Sequence, residues 1–443
     1  MSKIRKIWKQ LQTSFWFVPA SISVGIFGLA ILTLWLDHQY FEVIKSVVPW
    51  LFSGTPDAAR AMLSAIAGSI ATIASVVYSI AIIALQLSAS QYSPRALRTF
   101  IQDRGNQAAL GVYVATIIYA LLILRGVRSQ DDQVTSFVPQ ISVTVAIILA
   151  IISLGALVYF VNQVVKSLQA NIVVYRIHKS LIANINQLYP EQIGKPFHEP
   201  ETAKEIIDRQ KVTKPTQSLC SNQAGFVRSI DQEVLKNTDT DGVAWFYVMP
   251  EIGQFIQHGQ EIAQLCCQEG KAKNLKDKLH DIINVENQRT DEQDPLFPIQ
   301  QLTDVAIKTT PGDPTTVSLC LDYLTDALCL LSQRKLPDNH RRFDGKGTLH
   351  IFNRPTWERF VAESFGRLRH DLTSNSHTAK RYSESLLRLV ECTSYTTRIE
   401  PIINEIRQTQ QMIQDQKLGT KQDKEAILNI LASALSRAKS QKD

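Results

Sequence analysis

Three aspartates, Asp294, Asp304 and Asp313, stand close in the chain with Arg289, Gln293, Thr315 and Thr316. Carboxylates grouped with a guanidinium and hydroxyls are the residue types that bind divalent cations or phosphate and support hydrolysis. Their local spacing points to a plainer role. Asp313-Pro314-Thr315-Thr316 reads as a helix start, with Asp313 as the cap and Pro314 in the first turn. Asp294-Pro295 repeats that signal and leaves Asp294 free to pair with Arg289. His258, His280, His340, His350, His370 and His377 make no HExxH or comparable array, and no GxSxG, Walker or dinucleotide motif occurs. The chain is therefore expected not to be an enzyme and to need no cofactor or metal. Arg289, Gln293, Asp294, Asp304, Asp313 and Thr315 remain candidates for a binding site in the water-soluble part.

A second polar set lies in a hydrocarbon-like setting. Ser64, Ser69, Thr72, Ser75 and Ser79 dot an apolar segment from Ala61 to Ser88, with Gln86 near its end. Small side chains, here also Ala61, Ala65 and Gly68, let membrane helices approach closely. The same hydroxyls suit the lining of a narrow polar path through an oligomer, with Gln86, Ser90 and Gln91 at its cytoplasmic mouth. No fully ionisable residue interrupts this segment, which disfavours a proton-coupled mechanism.

These residues need elements to hold them. Apolar runs at about 15–36, 61–88, 108–124 and 141–161 predict four membrane spans. Aromatic residues Phe15, Trp16, Phe17 and Trp35 bracket the first, the pattern of an interfacial belt, and the length favours an uncleaved helix over a signal peptide. Basic residues concentrate at Lys3, Arg5, Lys6 and Lys9, at Arg95, Arg98 and Arg104, and at Lys166, Arg176 and Lys179. That bias predicts both termini on the cytoplasmic side of a bacterial inner membrane. Gln91, Ser93, Pro94, Arg95 and Arg98 then sit at the membrane interface, where the arginines suit phospholipid headgroups.

The remaining chain reads as a cytoplasmic α+β region. A helix over 165–187 continues the fourth span, and Pro190, Gly194, Pro196 and Pro200 mark a linker. Strands at 243–250 and 262–267, with Gly253 and Gly259 bracketing Phe255, predict a small β module over 216–270. Its strand and turn pattern resembles the barrel-sandwich fold of lipoyl and biotinyl domains, without the carrier lysine. From 271 to 443 the chain is mainly helical, with one-sided stripes such as Ile402, Ile403, Ile406 and Ile413. The divisions expected are thus 1–165, 166–215, 216–270 and 271–443.

Composition narrows the class. Most of the formal charge of +6 among 443 residues stands beside apolar spans, so nucleic acid is not an expected partner. Six cysteines, all beyond residue 219 and none in a CxxC pair, fit a reducing compartment rather than a disulfide framework.

Leu85-Gln86-Leu87-Ser88-Ala89-Ser90-Gln91-Tyr92-Ser93-Pro94-Arg95, with Asp103-Arg104 and Gln107 to Gly111 after it, resembles the hallmark of the DUF2254 family of bacterial predicted membrane proteins. Gln288 to Pro295, Phe297 to Leu302, Asp304 to Lys308 and Pro311 to Thr316 extend the resemblance. It implies a membrane protein and brings no activity with it. The residues favour an oligomeric, channel-like protein for ions or small solutes with a cytoplasmic regulatory region. A membrane-anchored scaffold or sensor binding a protein or small ligand is the alternative.

Overall fold

The computed structural model describes residues 17–39, 55–91, 104–128, 137–189, 195–196, 216–231, 243–267, 282–336, 340–342, 349–416 and 418–442. The chain divides into two compact units, Met1–Val173 and Val174–Asp443.

The first unit is a bundle of α1 (Phe17–Gln39), α2 (Pro56–Gln91), α3 (Arg104–Gly126) and α4 (Gln140–Leu168). Each contains a window of mean hydropathy between 2.1 and 2.7, so in water none would hold its outward face. Glycine brings α1 and α3 together at both ends. A methyl group on Gly111 would stand 2.9 Å from Pro19 Cα, and one on Gly126 would stand 3.1 Å from Leu34. These contacts pair the start of α1 with the start of α3 and end with end, so the two helices run parallel. Arg60, near the start of α2, donates to the Val127 carbonyl beyond the end of α3 at 3.0 Å, so α2 runs the other way. Asp37, near the end of α1, meets the start of α4. The four helices thus alternate in direction along the chain. Leu63, Ala67, Tyr119, Ile123 and Ala146 form one core layer, and Ile70, Ala74, Val77, Leu110 and Phe160 another.

Helix α4 does not continue unbroken beyond the bundle. Gln169 is extended, at φ −75° and ψ 120°, and α5 (Ala170–Leu188) begins afresh. Val174, Ile177, Leu181 and Ile185 of α5 are buried at helical spacing.

The second unit combines two sheets with a helical layer. β1 (Lys195–Pro196), β2 (Thr216–Cys220), β4 (Val243–Val248), β6 (Glu261–Cys267), β8 (His340–Arg342) and β9 (Leu349–Phe352) form a six-stranded sheet in the order β1-β8-β9-β4-β6-β2. Among these described strands only the β4–β9 pair is parallel. A second sheet has the order β5-β3-β7, from β5 (Phe255–Ile256), β3 (Gly225–Ile230) and β7 (Ile283–Glu286). The sheets therefore draw strands from well beyond 216–270, where the sequence predicts a barrel-sandwich-like module. Phe352 of β9 joins Val227, Phe246, Val248 and Leu265 in one core, which explains the recruitment. Ile283 opens β7 within the stretch expected to be mainly helical, and residues 271–281 lie outside the described residues.

The helical layer comprises α6 (Leu296–Thr309), α7 (Pro314–Gln333), α8 (Trp357–Val361), α9 (Arg367–Leu372), α10 (Ser376–Cys392), α11 (Ile399–Asp415) and α12 (Lys421–Lys442). A π-turn, Ala362–Gly366, joins α8 to α9. The stripe on α11 is buried at Ile402, Ile403, Ile406 and Ile413. Arg398 closes the end of α7, donating to the carbonyls of Leu331, Ser332 and Arg334 at 2.9, 2.7 and 2.7 Å. α7 is itself long and apolar enough to cross a membrane, which makes five such helices among the described residues where the sequence reading names four. Its window reaches a mean hydropathy of only 1.2 and is 61% buried within the protein. Asp322 on it accepts two bonds from Arg381, at 2.7 and 2.8 Å.

Candidate functional site

Asp294 is the most enclosed of the candidate carboxylates, at 1% exposure. Its Oδ1 accepts from the Leu296 and Phe297 amides at 3.1 and 3.2 Å, which caps α6. Its Oδ2 accepts from Arg289 Nε at 2.5 Å. Arg289 also reaches Gln300 Oε1 at 2.6 Å and lies 5.5 Å from the Phe297 ring centre. Gln300 in turn donates to Glu363 at 2.8 Å. Burial pushes the Asp294 carboxyl above its usual range, while Arg289 and the two amides pull it back. Gln293 clasps the end of β3, accepting from the Ile230 amide at 3.0 Å and donating to its carbonyl at 3.4 Å. The group fastens the small sheet to the first turn of α6.

The other candidates lie apart from this group. Asp304 accepts from Arg367 at 2.6 Å, tying α6 to α9. Asp313 caps α7, accepting from the Thr315 and Thr316 amides at 3.1 Å each and from the Thr316 hydroxyl at 2.5 Å. Those bonds hold its carboxyl below the usual range. Thr315 contributes its amide to this cap. The arrangement consists of two helix caps, one of them also paired with Arg289, and an ion pair between helices.

In the membrane unit the hydroxyl stripe is exposed. Ser64, Gly68, Ser69, Thr72, Ser75, Ser79 and Gln86 all face away from the bundle, while Leu63, Ala67, Ile70, Ala74 and Val77 are buried. At the helical period Ser64, Gly68, Thr72, Ser75, Ser79 and Gln86 fall within about 80° of arc, and Ser69 falls outside it. Thr72, Ser75 and Ser79 donate to the carbonyls four residues back, at 3.0, 2.9 and 2.9 Å. Each hydroxyl proton is thereby satisfied and the oxygen's free lone pairs remain on the outer surface. Ile82, 63% exposed, stands on the same line between Ser79 and Gln86 and interrupts it. Ser93, Pro94, Arg95 and Arg98 lie outside the described residues, and Gln91 is described only as the last residue of α2.

Two features escaped sequence reasoning. Asp37, which follows the first apolar run, is 3% exposed and caps α4 across the bundle. It accepts from the Ile141 amide at 2.9 Å, the Ser142 amide at 2.9 Å and the Ser142 hydroxyl at 2.6 Å. Tyr119 continues the network, bonding Thr33 Oγ1 at 2.9 Å and donating to the Ser142 carbonyl at 3.2 Å. An acid at the end of an apolar run was its only local signal. The second feature is Gly253, at φ +84°, whose turn closes over Asp294 and Arg289. A glycine in a β-turn region carries no sign of such a neighbour.

A bundle of membrane-length apolar helices, followed in the same chain by an α+β unit with locally satisfied charges, defines a membrane protein. Residues 12–388 match the family described as Predicted membrane protein (DUF2254), and the chain belongs to that family. It is similar to uncharacterized proteins of Mycobacterium tuberculosis strain H37Rv and Mycobacterium bovis, each 25% identical over 356 residues. Those alignments take in 77% of this chain and 65% of each relative, so the chain spans under two thirds of the relatives' length. No solved structure matches it.

Proposed function

We propose that the protein forms a homo-oligomer in the bacterial inner membrane and provides a channel-like path for ions or small solutes. In this reading α1 to α4 cross the bilayer, both termini are cytoplasmic, and the second unit regulates the path without acting as an enzyme. The observation that carries it is the outward stripe of Ser64, Gly68, Thr72, Ser75, Ser79 and Gln86. Hydroxyls at membrane depth gain little from facing lipid, but copies of α2 around an axis would turn them toward one another and toward water. Ile82 would then ring the path as a hydrophobic constriction, a position that gates by dewetting. The locally satisfied Asp294, Asp304 and Asp313 favour a structural role for those residues over hydrolysis.

Planar-bilayer recording of purified protein tests the proposal. Ion-selective currents reduced by Ser75→Leu and Ser79→Leu, and increased by Ile82→Asn, are expected. Silence of the assembled protein under voltage, tension and varied pH would overturn it.

One observation favours a ligand sensor as the second reading. A cavity of about 60 Å³ in the second unit, room for about two waters and so for one end of a small ligand only, is lined by Tyr189, Ile230, Ile252, Gln293, Phe352 and Asn353. Tyr189 is buried and its hydroxyl is pushed well above its usual pKa, so it stays a hydrogen-bonding phenol at any physiological pH. Isothermal titration with candidate metabolites separates this reading from the first.

A further inference from the structure

A groove runs along the outward side of the α1–α3 pair. Phe27, Ala30, Ile31 and Leu34 line it from α1, and Leu122, Arg125 and Gly126 line it from α3. These positions are spaced by three and four residues on each helix, so each set forms one face. Ala30, 1% exposed, lies at the base of the groove, while Phe27 and Ile31 stand 47% and 56% exposed as its wall. At the end marked by Arg125, Leu34 packs close against Gly126. The volume is about 260 Å³, just under the range of roughly 300–1,000 Å³ typical of pockets for whole small molecules.

Position along the helices identifies the occupant. Arg125 is the penultimate residue of α3, an exposed cation at the end of an apolar helix, and makes no ion pair among the described residues. Phe27 lies near the middle of α1. From Phe27 to Leu34 the helix rises about 10 Å, so the groove extends from the interface toward the bilayer midplane and stays within one leaflet. An apolar slot one leaflet deep with a guanidinium at its mouth matches an amphiphile with a hydrocarbon tail and an anionic head.

We propose that this groove binds one anionic phospholipid, its acyl chain against Phe27, Ile31, Leu34 and Leu122 and its phosphate paired with Arg125. The tail gains no hydrophobic advantage over surrounding lipid, because hydrocarbon already fills the membrane. Selectivity therefore rests on the head, where guanidinium and phosphate form charge-assisted hydrogen bonds. The tail's shape fit fixes the site and holds the lipid beside α3 instead of leaving it in exchange.

Native mass spectrometry of the full-length protein in detergent tests this, with dioleoyl phosphatidylglycerol and dioleoyl phosphatidylcholine titrated in competition. The wild type is expected to retain one phosphatidylglycerol in preference to phosphatidylcholine. Arg125→Gln should reduce that preference roughly fivefold, the effect of one basic residue at a membrane surface. Arg128→Gln, an exposed cation that does not line the groove, should leave it intact. Ile31→Trp covers the slot from an exposed position and should lower retention of both lipids. Equal retention of the two lipids by the wild type would overturn the proposal. So would equal losses in the two arginine variants, which would mark a general surface charge, or an Ile31→Trp variant that holds lipid as the wild type does.

Discussion

Gly253 and Asp294 compete for one volume: a methyl group on Gly253 would fall 2.0 Å from Asp294 Oδ2 and 2.6 Å from Arg289 Nε. The turn before β5 can pass over the buried ion pair only because that position has no side chain. The φ of +84° at Gly253 adds a second reason for glycine. Gly253→Ala should therefore be destabilising through both strain and the displaced carboxylate. Asp294→Ala should cost about 1–3 kcal/mol, since it removes the cap on α6 and the ion pair to the half-buried Arg289. Chemical denaturation of the two variants and their double mutant should show strong non-additivity, because one contact is being removed twice.

Asp313 and Asp294 should respond to pH with opposite signs. The folded-state pKa of Asp313 is depressed, so its stabilisation is present above the ordinary carboxylate range and fades as pH falls through the folded value. Asp313→Ala should cost about 1 kcal/mol at neutral pH, the usual worth of a helix cap, and less in acid. The folded-state pKa of Asp294 is raised, so its contribution is fullest below the unfolded pKa and is lost as pH rises through the folded one. Melting curves from pH 3 to 8 should show the gap between wild type and Asp313→Ala closing toward acid. Over the same series, from high pH to low, the wild type should gain on Asp294→Asn.

The cap that Asp37 places on α4 joins the ends of two membrane helices far apart in sequence. Asp37→Ala strands two amides and the Ser142 hydroxyl and should cost about 1–3 kcal/mol. Asp37→Asn keeps one acceptor oxygen and should cost less. Thermal unfolding in detergent, followed by tryptophan fluorescence, orders the three proteins.

Gly68 sits in the outward stripe of α2, and a methyl group there would meet no atom within 4 Å. A larger side chain fits the single chain without strain, yet would hold a neighbouring helix away. Gly68→Leu should leave the melting temperature of the protomer nearly unchanged and shift light-scattering mass toward smaller species. Ser69→Leu, off the stripe, should not.

Local composition dictates the helices and their polarity. Runs such as Ile141 to Val161 are too long and apolar to be anything but membrane-length helices, and Asp313-Pro314 caps α7 as its local chemistry requires. The arc of Ser64, Thr72, Ser75 and Ser79 was equally legible, since helical period is a local property. Which side of α2 that arc would occupy was not. Burial of Ala67, Ala74 and Val77 against the bundle turned the hydroxyls outward, an outcome set by the shapes of α3 and α4. Long-range packing alone settled that β9 would pair with β4, that Asp37 would cap α4, and that Gly253 would lie on Asp294. Each joins residues dozens of positions apart. Periodicity, propensity and turn chemistry act over a few residues, whereas these partners were selected by the fit of surfaces that exist only once the chain has folded.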